Sequence, residues 1–225
     1  MNVTEVTDVA EEFSCRPASP ERQDDIVSVY RQSFGKDPVF QWLFPDEETR
    51  PSLIEKYFTV MADHTFAHGG SVLQTKDYGA VSMYFPPDAV EQSDETHEQL
   101  LDTVRDKLGE DSDRPVHLLK TLSASHPRDI APHYYGTFVA ARPQHQGGGL
   151  GTRLKKALFA LADADRAGAY AEASSPRNLA LYERLGQRRL GPALTLPDGP
   201  PVFPIYRPPT AAGGRTRRDT AHGGS

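Results

Sequence analysis

HYYGTFVAARPQHQGGGLGTRL, residues 133–154, begins as a strand and ends as a helix. Aromatic and β-branched residues mark 133–141, the composition of a pleated, half-buried segment. Leu150, Leu154, Ala157, Leu158 and Leu161 then recur at helical spacing, which predicts an amphipathic helix over 149–165. Between the two lies Gln146-Gly147-Gly148-Gly149-Leu150-Gly151. Glycine lets a ligand come close to the backbone, and the N–H groups of a helix's first turn point at its entrance. A strand, a glycine turn and a helix in that order make an anion site suited to phosphate. Two familiar phosphate motifs fail here. A Walker loop needs Lys and then Ser or Thr after its last glycine, but Thr152-Arg153 follow Gly151. A dinucleotide fingerprint begun at Gly147 needs Gly or Ala at 152, and one begun at Gly149 needs it at 154. Thr152 and Leu154 stand there. The turn also comes late, with one strand–helix–strand unit after it, which argues against a doubly wound nucleotide domain.

Beyond this helix the pattern predicts a strand at 169–173, a short helix at 176–185, and closing strands near 188–196 and 202–206. Such alternation implies a local parallel pair within a mixed sheet. Toward the N-terminus, 13–16 reads as a short strand. Ser19, Pro20 and Glu21 start a helix whose face is Ile26, Val29, Tyr30 and Phe34, and Gly35 and Pro38 end it. The aromatic stretch 40–48, FQWLFPDEE, reads as a loop. A second helix over 51–67 presents Leu53, Ile54, Tyr57, Phe58 and Met61. Strands at 71–75 and 80–85 follow, joined by Lys76-Asp77-Tyr78-Gly79 with Gly79 as the turn residue. Pro86-Pro87 stops the second strand, and an acidic, mostly helical region runs to about 122.

The 225 residues carry 25 Lys+Arg against 31 Asp+Glu, a net charge of −6, which argues against nucleic acid as a partner. No stretch reaches the roughly 18 uncharged apolar residues of a membrane span. The opening MNVTEVTDVAEE is acidic and has no apolar segment of a secretory signal. One cysteine, Cys15, excludes an internal disulfide framework and a cysteine-based zinc site. The eight histidines show no ligand spacing, so no metal is expected. The expectation is a soluble, cytoplasmic domain over 13–207, preceded by a disordered N-terminus at 1–12. The basic tail, 208–225, has no Val, Ile, Leu, Met, Phe, Tyr or Trp and cannot offset the entropy of ordering.

Gln146, Gly149 and Gly151 fit Gln/Arg-x-x-Gly-x-Gly/Ala, and the segment resembles the acetyl-CoA pyrophosphate loop of the GNAT superfamily of N-acetyltransferases. The resemblance continues through EASSPRNLALYERLG, 172–186, where it is similar to the puromycin N-acetyltransferase group. It is strong over 133–186 and weaker at the first helix and at DPVFQWLFPD, 37–46. The resemblance implies the GNAT acyltransferase fold, a mixed α/β (α+β) domain. Its mixed central sheet of about seven strands is flanked by helices, with a parallel pair splayed at the acetyl-CoA site. It implies that backbone groups near Val139 and Ala141 pair with the pantetheine arm. The diphosphate would rest on N–H groups of about 147–152, bringing in Gln146, Gly147, Gly148, Gly149, Gly151 and Thr152. Asn178 would bond the arm or shape its tunnel, and Tyr182 would reach the sulfur. Four residues apart, Asn178 and Tyr182 share one helix face. Two positions depart from the family pattern. The loop lacks the basic residue common at its middle, for which Arg153, Lys155 or Lys156 could substitute, and Gln187 stands where an aromatic residue is usual.

Acetyl transfer from a thioester to an amine needs a neutral amine, a stabilised oxyanion and a proton for the departing thiolate. Tyr182 is the candidate acid, since a phenol is protonated at pH 7 and donates well. Glu172 is the candidate base, with His133 and His126 as alternatives. Trp42 and Phe40, with Leu43 and Phe44, fall where the family builds its acceptor wall. His133 and either Tyr134 or Tyr135 would join them, because neighbouring strand residues face opposite ways. Asp37, Asp46 and Glu47 could hold a cationic amine. Acetyl-CoA as co-substrate and a small amine-bearing acceptor, such as an antibiotic or metabolite, are the partners this implies, for a monomer or homodimer. A protein amine as acceptor, and a non-catalytic acyl-CoA sensor, are the competing readings.

Overall fold

The alternation of side chains along residues 133–141 puts one row of that strand against each of two helical layers, at the centre of the sheet. The computed structural model describes residues 15–91 and 93–210. The ends expected to be disordered, 1–12 and 208–225, lie outside the described residues apart from 208–210. The strands are β1 (Cys15–Pro17), β2 (Ser71–Thr75), β3 (Ala80–Phe85), β4 (His133–Ala141), β5 (Gly168–Ala173), β6 (Arg188–Arg189) and β7 (Phe203–Arg207). They form one seven-stranded sheet in the order β1-β2-β3-β4-β5-β7-β6. Every pairing is antiparallel except that of β4 with β5, the parallel pair expected from the strand–helix–strand unit.

One face is covered by α1 (Gln23–Ser33), α2 (Pro38–Leu43) and α3 (Arg50–Ala67), and by α4 (Pro87–Val90), α5 (Asp94–Leu108) and α6 (Asp113–Ser125) beyond β3. The other carries α7 (Leu150–Ala164) and α8 (Pro176–Arg184). The expected faces are the buried ones. Ile26, Val29 and Tyr30 of α1 and Leu53, Ile54, Tyr57, Phe58 and Met61 of α3 pack with Val72, Val81 and Met83 of the sheet. Leu154, Ala157, Leu158 and Leu161 of α7 meet Leu73, Ala80, Tyr84 and Tyr134 from the opposite side. Each such large apolar side chain contributes about 1.5–3 kcal/mol on burial.

Two local readings change. The stretch expected as a loop at 40–48 begins inside α2, because Asp37 caps that helix. Its Oδ1 accepts from the N–H groups of Val39 (2.9 Å) and Phe40 (3.4 Å), and Pro38 occupies the first turn. Arg50 then fixes the connection from inside, donating to the carbonyls of Phe44 (2.7 Å), Pro45 (2.8 Å) and Gly35 (3.2 Å). In the β2–β3 turn the left-handed residues are Asp77 (φ 56°) and Tyr78 (φ 52°), whereas Gly79 has φ −64°. Gly79 instead lies against Leu150, 3.2 Å from where its β-carbon would stand.

Two irregularities in β4 shape the site. Its register with β3 slips at Met83/Tyr84, where Phe138 faces Met83 but Gly136 faces Tyr84, leaving Thr137 as a bulge. The Tyr30 hydroxyl bridges the slip, accepting from Met83 N (3.1 Å) and donating to the Phe138 carbonyl (3.3 Å). Pairing with β5 runs only from His133↔Gly168 to Tyr135↔Tyr170. From Gly136 onward the two strands part, which opens a wedge between them.

Candidate active site

The glycine loop stands at the outer end of that wedge. A short turn at Pro143–His145 leads into it, and the Gln146 amide donates to the Ala141 carbonyl (3.2 Å). Gly147 and Gly149 both have φ +81°, and nothing lies within 4 Å of a β-carbon built on either. That conformation suits glycine, and the bare backbone leaves room for a ligand. Gly149 is the N-cap of α7 and supplies no capping side chain. The N–H groups of the first turn, including Leu150, Gly151 and Thr152, are therefore presented at the positive end of a fifteen-residue helix. Loop and helix end fit a diphosphate. Of the three basic residues that could supplement them, Arg153 and Lys156 are exposed but Lys155 is not; it turns inward.

Along the wedge, the backbone groups of β4 alternate sides. The Phe138 carbonyl meets Tyr30 on the β3 side, so the N–H and C=O of Val139 turn into the wedge. The Ala141 carbonyl is already taken by Gln146 and by the Ser33 hydroxyl (2.8 Å), which leaves Val139 as the better-placed partner for an extended arm.

The inner end opens into a cavity of about 840 Å³. Thr137, Lys155, Glu172, Ser174, Asn178 and Tyr182 line it near the wedge. Ala171 and Ala173 pack with Leu179 and Tyr182 of α8, so Glu172 between them points the other way, into the cavity. Burial raises its carboxyl from 4.5 to about 7, against the opposing effects of the Tyr170 and Tyr135 hydroxyls and of Lys155. Glu172 Oε1 and the Tyr170 hydroxyl nonetheless have no hydrogen-bond partner of good geometry among the described residues, and Thr137 Oγ1 has none either. Tyr182 enters from α8, its phenol pushed up to about 12 by burial and by the nearby Asp37 charge. A phenol and a carboxyl thus face one gap in complementary states, the first fully protonated and the second half-ionised near neutrality.

Asn178 is tied down by a chain of hydrogen bonds. Its amide donates to Ser174 Oγ (3.1 Å), and the Ser174 hydroxyl donates to Asp37 Oδ2 (2.6 Å). Asp37, expected to hold an amine, is instead a half-buried cap for α2 and an anchor for the start of α8. Burial raises its carboxyl, with Ser174 and the capped N–H groups opposing. Asp46 caps Thr49 outside the cavity, and Glu47 is exposed. The carboxylates on the cavity wall are Glu172, Glu91 and Asp94.

Of the expected acceptor wall, Leu43 and Phe44 are core residues away from the cavity. Phe40 lines the cavity, in an aromatic cluster with Phe34, Phe58 and Phe138. Trp42 does not. Its indole donates to the Pro197 carbonyl (2.8 Å), and Arg114 stacks on its ring at 5.5 Å, so it pins the C-terminal loop to the core. Of the adjacent tyrosines, Tyr135 lines the cavity, while Tyr134 faces α7 and donates to Asp165 (2.5 Å). His133 lines it too, together with His126. Their Nε2 atoms are 3.0 Å apart, and His133 Nδ1 lies 3.1 Å from the Ala131 carbonyl. One proton between the two Nε2 atoms, with His133 donating through Nδ1, satisfies that geometry with both rings neutral. Burial and the neighbouring His133 lower His126 to about 4, and burial lowers His133. The rest of the chamber is largely apolar, with Phe85, Leu100, Leu118 and Leu122 from β3, α5 and α6. No helix among the described residues is long and apolar enough to cross a membrane.

Residues 117–187 match the acetyltransferase (GNAT) family, a segment that runs from α6 through the glycine loop to the end of α8. Among solved structures, the chain is similar to histone acetyltransferase HPA2 and related acetyltransferase from Corynebacterium glutamicum. The two share 23% identity and a TM-score of 0.65, over 89% of this chain and 98% of that one. The polyamine N-acetyltransferase of Drosophila melanogaster is 14% identical with a TM-score of 0.57, over 85% of this chain and 97% of that one. Arylalkylamine N-acetyltransferase 2 of Aedes aegypti is 15% identical with a TM-score of 0.58, over 85% and 96% respectively. These neighbours have the GNAT fold seen here. The family match over 117–187 is what supports an acetyl-CoA-dependent N-acetyltransferase.

Proposed function

We propose that the protein acetylates a primary amine of a small molecule, within the puromycin-type group of GNAT enzymes, as a detoxifying or resistance activity of the cytoplasm. The observation that carries this reading is the placement of Glu172 and Tyr182 about one gap, at the inner end of a wedge whose outer end is the glycine loop. Acetyl-CoA would lie along the wedge, its diphosphate on the loop and its arm on Val139. The amine enters from the apolar chamber. Glu172 accepts its proton and passes it to water, the neutral nitrogen attacks the thioester carbonyl and yields its second proton to Glu172, and a backbone N–H of β4 receives the oxyanion. Tyr182 then gives a proton to the departing thiolate.

The chamber favours a small acceptor over a protein lysine. It is walled by α5, α6 and the 126–132 segment and has the volume of a drug-sized ligand site. Phe40, Phe85 and Leu118 suit an apolar or aromatic body, and Glu91 and Asp94 suit a cationic end. The domain is taken as 13–207, acting as monomer or homodimer without nucleic acid. The test is a panel of small amines and lysine peptides assayed for CoA release by thiol detection. Release with small amines is expected. Release with peptides alone moves the reading to a protein acetyltransferase. Tight acetyl-CoA binding with no release from any amine moves it to a non-catalytic sensor.

A further inference from the structure

Lys155 is the ionisable group at the gap that these steps leave unused. It sits on the buried side of α7, in one row with Phe159 and Ala162, where a helix packed on a sheet carries apolar residues. Its side chain is 2% exposed. The chain threads beside Gly136, the first β4 residue beyond the last β5 pairing. A β-carbon there would lie 3.0 Å from Leu158 Cδ2, the tight contact, and 3.8 Å from Lys155 Nζ, so the ammonium lies directly beside the β4 backbone. Nζ ends 4.3 Å above the centre of the Tyr182 ring. No ion pair within 4.0 Å holds it among the described residues, so the Tyr182 ring face and the charge of Glu172 are its compensation. A buried cation so placed is costly to folding, which asks for a role.

We propose that Lys155 is a positioning residue for acetyl transfer, its ammonium keeping Glu172 ionised as the base and serving as counter-charge to Tyr182 when the phenol gives up its proton. This rests on the acetyltransferase reading. In the balanced step, Glu172 takes one proton from the ammonium and releases it to water; the neutral nitrogen then attacks, and its second proton passes to Glu172 as the C–N bond forms. The C–S bond then breaks and the phenolic proton passes to sulfur. Tyr182 is left as phenolate and recovers a proton from Glu172. Lys155 gains and loses none; it lowers the energy of the interval in which Tyr182 is anionic. The remaining groups about it do not supply that charge. Tyr135 and Tyr170 face the gap as neutral phenols, both raised by burial and then by Glu172. His126 and His133 behind them are held neutral, Asp37 beyond Tyr182 is anionic, and toward β1–β4 the α7 layer presents Cys15, Tyr84 and Tyr134. Burial lowers Lys155 to about 8 while Glu172 opposes the fall, so carboxylate and ammonium coexist best between about 7 and 8.

The test is a carbon-13 NMR titration of the Glu172 carboxyl in the parent, Lys155→Met and Lys155→Arg, with pH profiles of kcat/KM beside it. Lys155→Met should move the carboxyl midpoint up by about one pH unit, and the rising limb of the profile with it, for about a fivefold loss at pH 7 and about tenfold below pH 6. Lys155→Arg should hold both near the parent values. A folded Lys155→Met with an unmoved midpoint and a uniform, pH-independent loss overturns the proposal. If Lys155→Met fails to fold, Lys155→Arg decides alone: the parent's decline above about pH 8 should vanish in it, and its persistence overturns the proposal. The titration needs no acceptor, so a failure of the acetyltransferase reading, seen as no CoA release from any amine, is separate from it.

Discussion

Changing Glu172 to Gln keeps the side-chain shape and removes the charge, and the structure sets what should follow for both stability and rate. Burial raises the carboxyl from 4.5 to about 7. A folded-state value above the unfolded one means a contribution fully present below about pH 4.5 and lost as pH rises through about 7. That loss corresponds to about 3 kcal/mol for the carboxyl alone. The value of about 7 already includes the attraction of Lys155, so Glu172→Gln should give a net stabilisation of about 3 kcal/mol at pH 8. At pH 4.5 the two proteins should unfold alike. Urea unfolding at both pH values measures this, and equal stability differences at the two would refute the burial argument.

The rate carries the second half of the same prediction. An amine arriving as ammonium must lose its proton to Glu172. The parent kcat/KM should therefore climb about tenfold per pH unit while the carboxyl ionises, level off near 7, and decline above about 8 as Lys155 loses its proton. Without the base, only amine already neutral reacts, so the variant should go on climbing past pH 7. The deficit is thus largest at and below neutrality and narrows as pH rises. Parallel profiles would remove Glu172 as base and turn attention to a water chain or to His133, whose neutral state already suits a base.

Tyr182→Phe should lower turnover by about 10- to 1000-fold with acetyl-CoA affinity unchanged, since the ring that covers Lys155 stays in place; a rate equal to the parent, with chemistry limiting, removes the phenol from the mechanism. Gly149→Val forces a β-branched residue to φ +81° and fills the open space above the loop, so calorimetry should find acetyl-CoA binding at least about tenfold weaker in a folded protein. Asp37→Ala removes the α2 cap and the anchor of Ser174 together, and should cost about 1–2 kcal/mol in urea unfolding while raising KM for acetyl-CoA through a looser Asn178.

Local chemistry was legible where the residues that perform it are neighbours in sequence. The glycine loop, the Asn178/Tyr182 face and the order of elements from 133 to 206 each rest on short-range patterning; the boundaries follow it within one or two residues, except that the strand expected at 188–196 is only Arg188–Arg189. Asp37-Pro38 carried a helix-start signal as clear as Ser19-Pro20, yet the aromatic run after it read as a loop. The contacts that settle Trp42 and Arg50 are of another kind. Trp42 bonds a carbonyl 155 residues away, and no local pattern separates such an indole from one that lines a pocket. Lys155 shows the limit most clearly. The sequence offers it only as a basic supplement to the glycine loop, outside the apolar face of Leu154, Ala157, Leu158 and Leu161, yet α7 buries it in one row with Phe159 and Ala162. What compensates it depends on where β4 leaves β5, a matter of twist and register rather than of periodicity. The wedge that admits the acetyl-CoA arm also gives the lysine its place, because the same loss of pairing after Tyr135 frees Val139 on one side and the space beside Gly136 on the other.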